Sequence, residues 1–314
     1  MEVVLNWLVI VNRKAGGGYA ASLWKKTEGM LSAAGIEFTA RYTEAPAQTR
    51  LIAANTLNMG FSGLAVFGGD GTMSDAAAAV SGNIEKPVLA FLPAGSGNDW
   101  IRSLGFNPSC MKESIAAMVA CNTKQVDSGI CRWSEGSRFF LNSAGVGFDA
   151  LVLKRSISLK RITLLKSFSY MLTLFGSALF PPHWSGTLSC DGTPFYRGDY
   201  FTLTVGIGKY SGGGMQLSPC SVIDDGLLDA LCISPMGFID IAKCFSRIFD
   251  GTLHSTIWAT GARGSNIRLE PLKPGSFLLE LDGEKVSTGD NSRYVEFISV
   301  PADLTVVIPR SEQG

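Results

Sequence analysis

The sequence has few of the side chains that build metal centres or disulfide scaffolds. Only two histidines, His183 and His254, occur among 314 residues, and none of the seven cysteines forms a C-x-x-C pair. This usage argues against a zinc site and a disulfide framework and is typical of a reduced cytosolic compartment. The formal net charge is zero, with 27 basic and 27 acidic residues. A balanced chain argues against nucleic acid as a partner.

Several sequence signals for other classes of protein are also missing. No G-x-x-x-x-G-K-[ST] motif occurs, which excludes a P-loop nucleoside triphosphatase. At the N-terminus the acidic residue precedes the apolar run and the basic residues follow it, the reverse of a secretory signal, so we interpret 7–12 as a first strand. The G-x-G-x-x-A match at 145–150 lacks the acidic residue that a dinucleotide fold needs about 20 positions later. We therefore interpret 145–150 as a turn in a β domain.

The length of the chain and a change in its residue pattern near residue 127 predict two domains. Over residues 1–127, apolar strands run into glycine-bearing turns and then helices, which predicts an α/β nucleotide-binding domain with a doubly wound parallel sheet. Over residues 128–314, short alternating runs separated by Gly, Pro and Asp predict an all-β sandwich domain. The last strand is a candidate to return to the first domain.

Asp70 lies among glycines, after an apolar strand at 63–67 and before an alanine-rich helix predicted from Ser74. Thr72 followed by Asp75 matches a capping box, so we expect Thr72 to cap that helix. Glycine N–H groups at a helix N-terminus bind anions, and a carboxylate beside them would repel phosphate unless a cation stood between the two.

The segment is therefore either a phosphate loop with a metal-linked Asp70 or an ordinary Asp-Gly turn. Two further glycine turns follow the apolar strands at 7–12 and 88–93. The carboxyl ends of parallel strands share one edge of the sheet, where ligands bind in folds of this class. Three glycine turns at that edge favour the phosphate loop.

Two acidic segments follow in the second half of the chain. If a strand continues through 280–286, Asp282 and Glu284 project to the same face, where carboxylates can serve as a base and a metal-linked partner. An Asp-Gly hairpin turn is the alternative. The segment 222–233 is either a turn entering a strand or a hard-cation site built from one carboxylate and backbone carbonyls.

Acidic residues are missing altogether from Leu151 to Cys190, a stretch that holds five lysines and arginines. Within it, 162–180 has one apolar and one polar helical face, which predicts an amphipathic helix too polar to span a bilayer. Such a helix either packs over the β domain or contacts an anionic membrane surface, and apolar stripes at helical spacing favour packing.

Five motifs, taken in order, resemble the diacylglycerol kinase catalytic family. They are GGDGT at 68–72, LPAGSGNDW at 92–100, GGGMQLSP at 212–219, DDGLLD at 224–229 and LDGE at 281–284. More narrowly, the chain resembles compact bacterial lipid kinases related to sphingosine kinases and, more distantly, NAD kinases. The resemblance implies an NAD kinase/diacylglycerol kinase-like fold and an ATP- and Mg²⁺-dependent lipid kinase that phosphorylates diacylglycerol or a related lipid alcohol.

The resemblance also implies roles for individual residues. Backbone N–H groups of the phosphate loop would hold ATP, and four further residues would contact the nucleotide: Gly68, Gly69, Asp70, Gly71, Thr72, Met73 and Ser74 in the loop, then Thr43, Gly95, Ser96 and Asn98. Asp70, Asp99 and Glu284 would form an acidic network around Mg²⁺. Asp282 would be the general base for the lipid hydroxyl. A structural Mg²⁺ would be held by the Asp225 side chain and by the backbone carbonyls of Val222 and Leu227.

Three positions depart from the family pattern. Arg13 follows Asn12 where Pro is usual, Ser74 stands where Asn is common, and Trp100 stands where Phe is frequent. The expected partners are ATP, a lipid alcohol and a membrane surface contacted peripherally from the cytoplasm, with no nucleic acid; a homodimer is left open. An NAD kinase-like small-molecule kinase and a catalytically silent nucleotide- or lipid-binding regulatory protein are the alternative functions.

Overall fold

The computed structural model describes residues 5–148, 183–272 and 277–310. Its strands are β1 (Trp7–Asn12), β2 (Phe38–Thr43), β3 (Gly63–Gly68), β4 (Val88–Pro93), β5 (Thr123–Trp133), β6 (Gly136–Phe140), β7 (Ser143–Gly147), β8 (Trp184–Cys190), β9 (Thr193–Tyr200), β10 (Thr202–Gly206), β11 (Leu228–Ile233), β12 (Ala259–Gly264), β13 (Asn266–Pro271), β14 (Leu279–Leu281), β15 (Glu284–Val286) and β16 (Val295–Val307).

The α-helices are α1 (Tyr19–Ala33), α2 (Pro46–Ala54), α3 (Asp70–Val80), α4 (Asp99–Ser103), α5 (Met111–Ala120), α6 (Phe238–Cys244) and α7 (Arg247–Asp250), and 3₁₀ turns lie at Ala15–Gly18 and Leu253–Ser255. The amphipathic helix predicted at 162–180 lies outside the described residues. In the part of the chain that is described, no helix is both long and apolar enough to cross a membrane.

The first half of the chain forms a parallel sheet in the strand order β2-β1-β3-β4. Strand β3 is buried along its whole length, as expected for a sheet covered by helices on both faces. The strand order reverses between β1 and β3, and this opens a crevice at the carboxyl ends of the strands. The predicted α/β fold is confirmed, and Asn12, Thr43, Gly68 and Pro93 end the four strands at one edge.

Strand β16 connects the two halves of the molecule. Its early residues pair antiparallel with β13 and β5, and Val306 near its end pairs in parallel with Leu89 of β4. A bulge between Val300 and Leu304 separates these two parts, and Ala302 within it has a φ of 49°. Bulges bend a strand and increase its twist, so one ten-stranded sheet passes from the parallel half into the antiparallel half.

A second, antiparallel sheet has the order β12-β11-β10-β7-β14-β15, and the predicted β-sandwich is confirmed. The interpretation of 145–150 as a turn is wrong for its first residues, because Gly145 to Gly147 belong to β7 and pair with β10 and β14. The second domain also contains α6 and α7, which the sequence did not predict. Their apolar side chains pack with Phe148, Phe201 and Ile233 in a separate small core.

Candidate active site

The glycine turn after β3 is the first turn of α3. The helix begins at Asp70 with Gly69 as its N-cap, so the predicted capping box at Thr72 and the predicted start at Ser74 are wrong. The N–H groups of Thr72 and Met73 both donate to the Gly69 carbonyl and so start the helix a turn earlier. The capping partners are also engaged elsewhere: the Thr72 hydroxyl accepts a hydrogen bond of 2.9 Å from Asn12 Nδ2, and Arg50 binds the Asp75 carboxylate at 2.5 Å.

The turns after β3 and β4 pack backbone against backbone. A methyl group on Gly95 would lie 2.5 Å from the Gly69 Cα, so this approach requires glycine at both positions. Asn98 has a φ of 54°, and its side chain accepts from the Gly95 N–H at 3.0 Å and donates to the Gly95 carbonyl at 3.1 Å. Asn98 therefore shapes the second loop, and Ser96 is exposed beside it.

Asp70 joins these two loops. Its carboxylate accepts the backbone N–H groups of Asn98 at 2.7 Å and Trp100 at 3.2 Å. Burial raises the pKa of Asp70, and the backbone hydrogen bonds oppose that shift. A methyl group on Gly97 would lie 3.0 Å from Asp70 Oδ2 and 3.2 Å from Asp99 Oδ2. The two carboxylates thus lie close to each other beside Gly97.

Asp99 connects this acidic pair to the second domain. Its carboxylate accepts the N–H groups of Gly213 and Gly214, both at 2.7 Å. These glycines belong to the predicted GGGMQLSP motif and have φ values of 89° and 102°, a backbone region that favours glycine. Burial and, after it, the negative charge of Asp70 raise the pKa of Asp99. Arg102 Nε lies 3.9 Å from the same carboxylate.

Asp282 and Gly283 form the two-residue turn between β14 and β15, with φ values of 50° and 77°. Of the two alternatives left open for 280–286, the Asp-Gly hairpin turn is correct and the continuous strand is not. Positive φ at both central residues is the geometry of the tight hairpin turns that favour Asp-Gly. The LDGE motif therefore has a local structural reason for its Asp-Gly pair.

The Asp282 carboxylate nonetheless has extensive contacts inside the protein. Oδ1 accepts the N–H groups of Asn142 at 2.8 Å and Ser143 at 3.1 Å. Oδ2 accepts the Leu141 N–H at 2.7 Å and the Ser74 hydroxyl at 2.6 Å. Burial raises the pKa of Asp282, and these four hydrogen bonds oppose the shift. The hairpin of the second domain is thereby held against helix α3 of the first.

Glu284 lies beside the first turn of the same helix, on the face that also carries Ser74. It forms an ion pair with Arg138, and a methyl group on Gly71 would lie 3.6 Å from Glu284 Oε1. Thr43 is buried at the end of β2 beside Asn12, and its hydroxyl accepts a hydrogen bond of 3.4 Å from Thr49. The predicted residues of the nucleotide loops and of LDGE therefore converge at the carboxyl edge of the parallel sheet.

Three contact residues of this region carried no sequence signal. Arg138 pairs with Glu284, Asn142 donates its N–H to Asp282, and Arg263 pairs with Asp225. Each lies in a short alternating β segment without a motif. Only the positions of their partners in the fold reveal them.

The DDG loop carries its own cationic partners. Asp225 Oδ1 accepts the Leu227 N–H at 2.9 Å, and the other carboxylate oxygen binds the Arg263 guanidinium. Lys124 Nζ lies 2.7 Å from Asp224. Across the described ranges, no group of three or more His, Cys, Asp and Glu side chains is arranged to hold a metal ion. A cation bound at this loop would therefore have to share the Asp225 carboxylate with Arg263.

Each half of the chain matches the model of a known protein domain family. The model of the diacylglycerol kinase catalytic domain matches residues 6–131. The model of the YegS C-terminal NAD kinase beta sandwich-like domain matches residues 142–308. Together with the fold and the converging acidic residues, these matches define a two-domain lipid kinase.

Curated relatives agree along most of the chain. A protein named probable lipid kinase YegS-like from Pseudomonas savastanoi pv. phaseolicola (strain 1448A / Race 6) is 32% identical over 283 residues, which cover 88% of this chain and 85% of that one. A protein of the same name from Stenotrophomonas maltophilia (strain K279a) is 27% identical over 314 residues, 96% of each chain. The chain belongs to the YegS-like lipid kinase family.

Solved structures agree with the fold. A structure described as a diacylglycerol kinase from Bacillus anthracis str. Sterne has a TM-score of 0.73 at 19% identity and covers 99% of both chains. Another structure from the same organism has a TM-score of 0.78 at 22% identity and covers 99% of this chain and 98% of its own. These similarities show that the fold is shared along nearly the whole of the matched chains.

Proposed function

We propose that this lipid kinase transfers the γ-phosphate of ATP, with Mg²⁺, to the hydroxyl of diacylglycerol or a related lipid alcohol. One observation carries the proposal: the 2.6 Å hydrogen bond from Ser74 to Asp282, which holds the expected base against the helix of the phosphate loop. Phosphoryl transfer depends mainly on positioning and charge neutralisation, so a phosphate loop, a metal and one base are sufficient.

The N-terminus of α3 is the expected site of the ATP phosphates. The amides of Thr72 and Met73 donate to the Gly69 carbonyl, so the amides that precede Thr72 are the ones the fold offers to an anion. The helix dipole adds partial positive charge at the same end. Loop residues Gly95 and Ser96 lie across from this helix end, since Gly95 contacts Gly69 directly.

The donor set around Gly97 fits a magnesium ion. The carboxylates of buried Asp99 and partly buried Asp70 lie side by side, and carboxylate oxygens are the ligands that Mg²⁺ prefers. We propose these two residues as ligands; Glu284, the third residue of the expected acidic network, does not form a three-carboxylate group with them in the described part of the chain. The ion would neutralise the charge of the phosphates. This arrangement accounts for a carboxylate beside a phosphate-binding helix end.

An apolar cavity in the second domain supports a lipid acceptor. It lies between the second sheet and the pair α6–α7, and its lining includes Phe148, Phe201, Met215, Met236 and Ile241. Met215 directly follows Gly213 and Gly214, whose amides bind Asp99, so the chain places one wall of the cavity close to the acidic pair. We propose this cavity for the acyl chain of the substrate.

Filling the cavity tests this placement. We expect Ile241→Trp to raise the KM for a long-chain lipid alcohol by roughly tenfold and to leave the KM for ATP unchanged, since each methylene removed from apolar contact costs about 0.8 kcal/mol. The matched control is Ile239→Trp on the same helix, because Ile239 is 68% exposed and does not line the cavity. Equal KM values for the two variants would contradict an acyl site here.

The DDG loop gives a separate prediction about metal binding. We propose that Val222, Asp225 and Leu227 bind Mg²⁺ in competition with Arg263. We expect Arg263→Met to lower the melting temperature in EDTA, because the Asp225 carboxylate loses its cation, and Mg²⁺ to restore part of the loss. The melting temperature of the wild type should change less between EDTA and Mg²⁺ than that of the variant. Thermal melts in which Mg²⁺ affects neither protein would rule out a cation at this loop.

An NAD kinase-like activity is the nearest rival, since it shares the GGDGT loop. The two functions are separated by offering labelled ATP with either NAD⁺ or a lipid alcohol. We expect label in the lipid and none in NADP⁺. Formation of NADP⁺ without lipid phosphate would overturn the proposal that a lipid alcohol is the acceptor. It would not contradict the proposed ATP site.

A further inference from the structure

The four hydrogen-bond donors to Asp282 are not equivalent. Three are backbone N–H groups of consecutive residues, Leu141 to Ser143, where β6 passes into β7. They lie on the short backbone connection between these two strands, with Ser143 as the first residue of β7. The fourth donor is the hydroxyl of Ser74, at 2.6 Å from Oδ2. It alone among the four can rotate its hydrogen or exchange it.

This arrangement limits how an acceptor alcohol can reach the base. A carboxylate has about four lone-pair sites, and all four donors on Asp282 are in place. An alcohol that donated directly to Asp282 would have to displace one of them. A serine hydroxyl, by contrast, accepts one hydrogen bond while it donates another. Ser74 can therefore stand between the alcohol and the carboxylate without any loss of contact.

We propose that the Ser74 hydroxyl relays the proton of the acceptor alcohol to Asp282. The inference rests on the proposed function. The acceptor oxygen forms a bond to the γ-phosphorus as the bond from that phosphorus to the bridging oxygen breaks, and ADP leaves with the electron pair. The acceptor proton passes to Ser74 Oγ while the original Ser74 proton passes to Asp282 Oδ2. Loss of that proton to water restores the resting state.

The neighbouring hydroxyl cannot take this role. Thr72 lies on the same helix, but its oxygen accepts a hydrogen bond from Asn12 and points to the end of β1. Ser74 is one helical turn beyond Asp70, and so lies close to the helix end proposed for the phosphates. Its partner Asp282 is 208 residues away in sequence, so the contact also closes the two domains on each other.

Three substitutions at one position separate a relay from simple positioning. Ser74→Thr keeps a hydroxyl, Ser74→Asn keeps a donor to the carboxylate but has no exchangeable hydroxyl proton, and Ser74→Ala has neither. We expect the threonine variant to retain most of the kcat. Both the asparagine and alanine variants should lose about 10²-fold in kcat, the low end of general-base effects, with the KM for ATP unchanged.

The kcat and KM are measured with a lipid alcohol in mixed micelles, and thermal melting checks that each variant folds. An asparagine variant with wild-type kcat would overturn the relay, because the hydrogen bond alone would then suffice. An alanine variant with wild-type kcat would remove any role for Ser74. A wild-type enzyme that labels no lipid alcohol would instead overturn the proposed function and the relay with it.

Discussion

Asp282→Asn is expected to lower the rate of phosphoryl transfer by about two to four orders of magnitude while ATP still binds. The substitution removes the base to which a proton must finally pass when the acceptor alcohol loses its own, and general-base catalysis contributes about 10²–10⁴-fold. The measurements are kcat in mixed micelles and the dissociation constant of ATP. An unchanged kcat would contradict the role of Asp282 as general base. Loss of ATP binding would show instead that Asp282 is a structural or metal-linked residue.

The geometry also predicts a cost in stability for this variant. Asp282 accepts four donors, and an amide nitrogen in place of one oxygen would face donors instead of accepting from them. An unsatisfied buried group costs about 1–3 kcal/mol, so the melting temperature is measured alongside the activity. Asp290→Asn is the matched control, since Asp290 is exposed in the following segment. We expect that control to keep both activity and stability.

Lys86→Met is expected to lower the free energy of unfolding by about 3–5 kcal/mol, the usual cost of leaving a buried charge without its partner. Lys86 Nζ lies 2.6 Å from Asp303, whose side chain is 2% exposed at the bulge of β16. Asp303 also accepts the hydroxyls of Ser81 at 2.6 Å and Ser128 at 2.5 Å. The cluster anchors β16 to the first domain. Chemical denaturation of wild type and variant gives the difference.

The pH dependence of this effect has a definite sign. Burial acts to raise the pKa of Asp303, but Lys86 and the hydroxyl donors outweigh it, so the pKa is lowered. A depressed native pKa stabilises the fold above the unfolded value of about 3.9, and this contribution disappears as the pH falls through the native value. The stabilities of wild type and Lys86→Met should therefore converge in acid.

An exposed ion pair provides the control for Lys86. Lys14 lies 3.3 Å from Glu44, and both side chains are about two-thirds exposed, at 67% and 70%. Exposed pairs contribute about 0–1 kcal/mol, so Lys14→Met should change the stability little at any pH. A loss for Lys86→Met no larger than for Lys14→Met would show that the Asp303 cluster does not anchor β16.

The parallel half of the fold was predictable because its signals are local. Strands β1 and β4 match the apolar runs at 7–12 and 88–93, since glycine turns and helices interrupt those runs sharply. Helices α6 and α7 have seven and four residues, too few turns to show a periodicity in the sequence. They are stabilised by packing over the apolar cavity rather than by helix signals of their own.

The identities of the site residues follow from motif order, but their partners do not. Ser74 contacts Asp282 across 208 residues and Arg138 contacts Glu284 across 146, and no local pattern encodes such distances. The capping prediction at Thr72 failed for the same reason. Its hydroxyl binds Asn12 from a neighbouring strand, and a long-range contact replaced the local one.

The proposed reaction is tested most directly by transfer of labelled γ-phosphate from ATP, in the presence of Mg²⁺, into a panel of lipid alcohols in mixed micelles. We expect label in diacylglycerol or a related lipid alcohol, and none when Mg²⁺ is removed by EDTA. Binding of ATP without label in any lipid alcohol would contradict the proposed reaction.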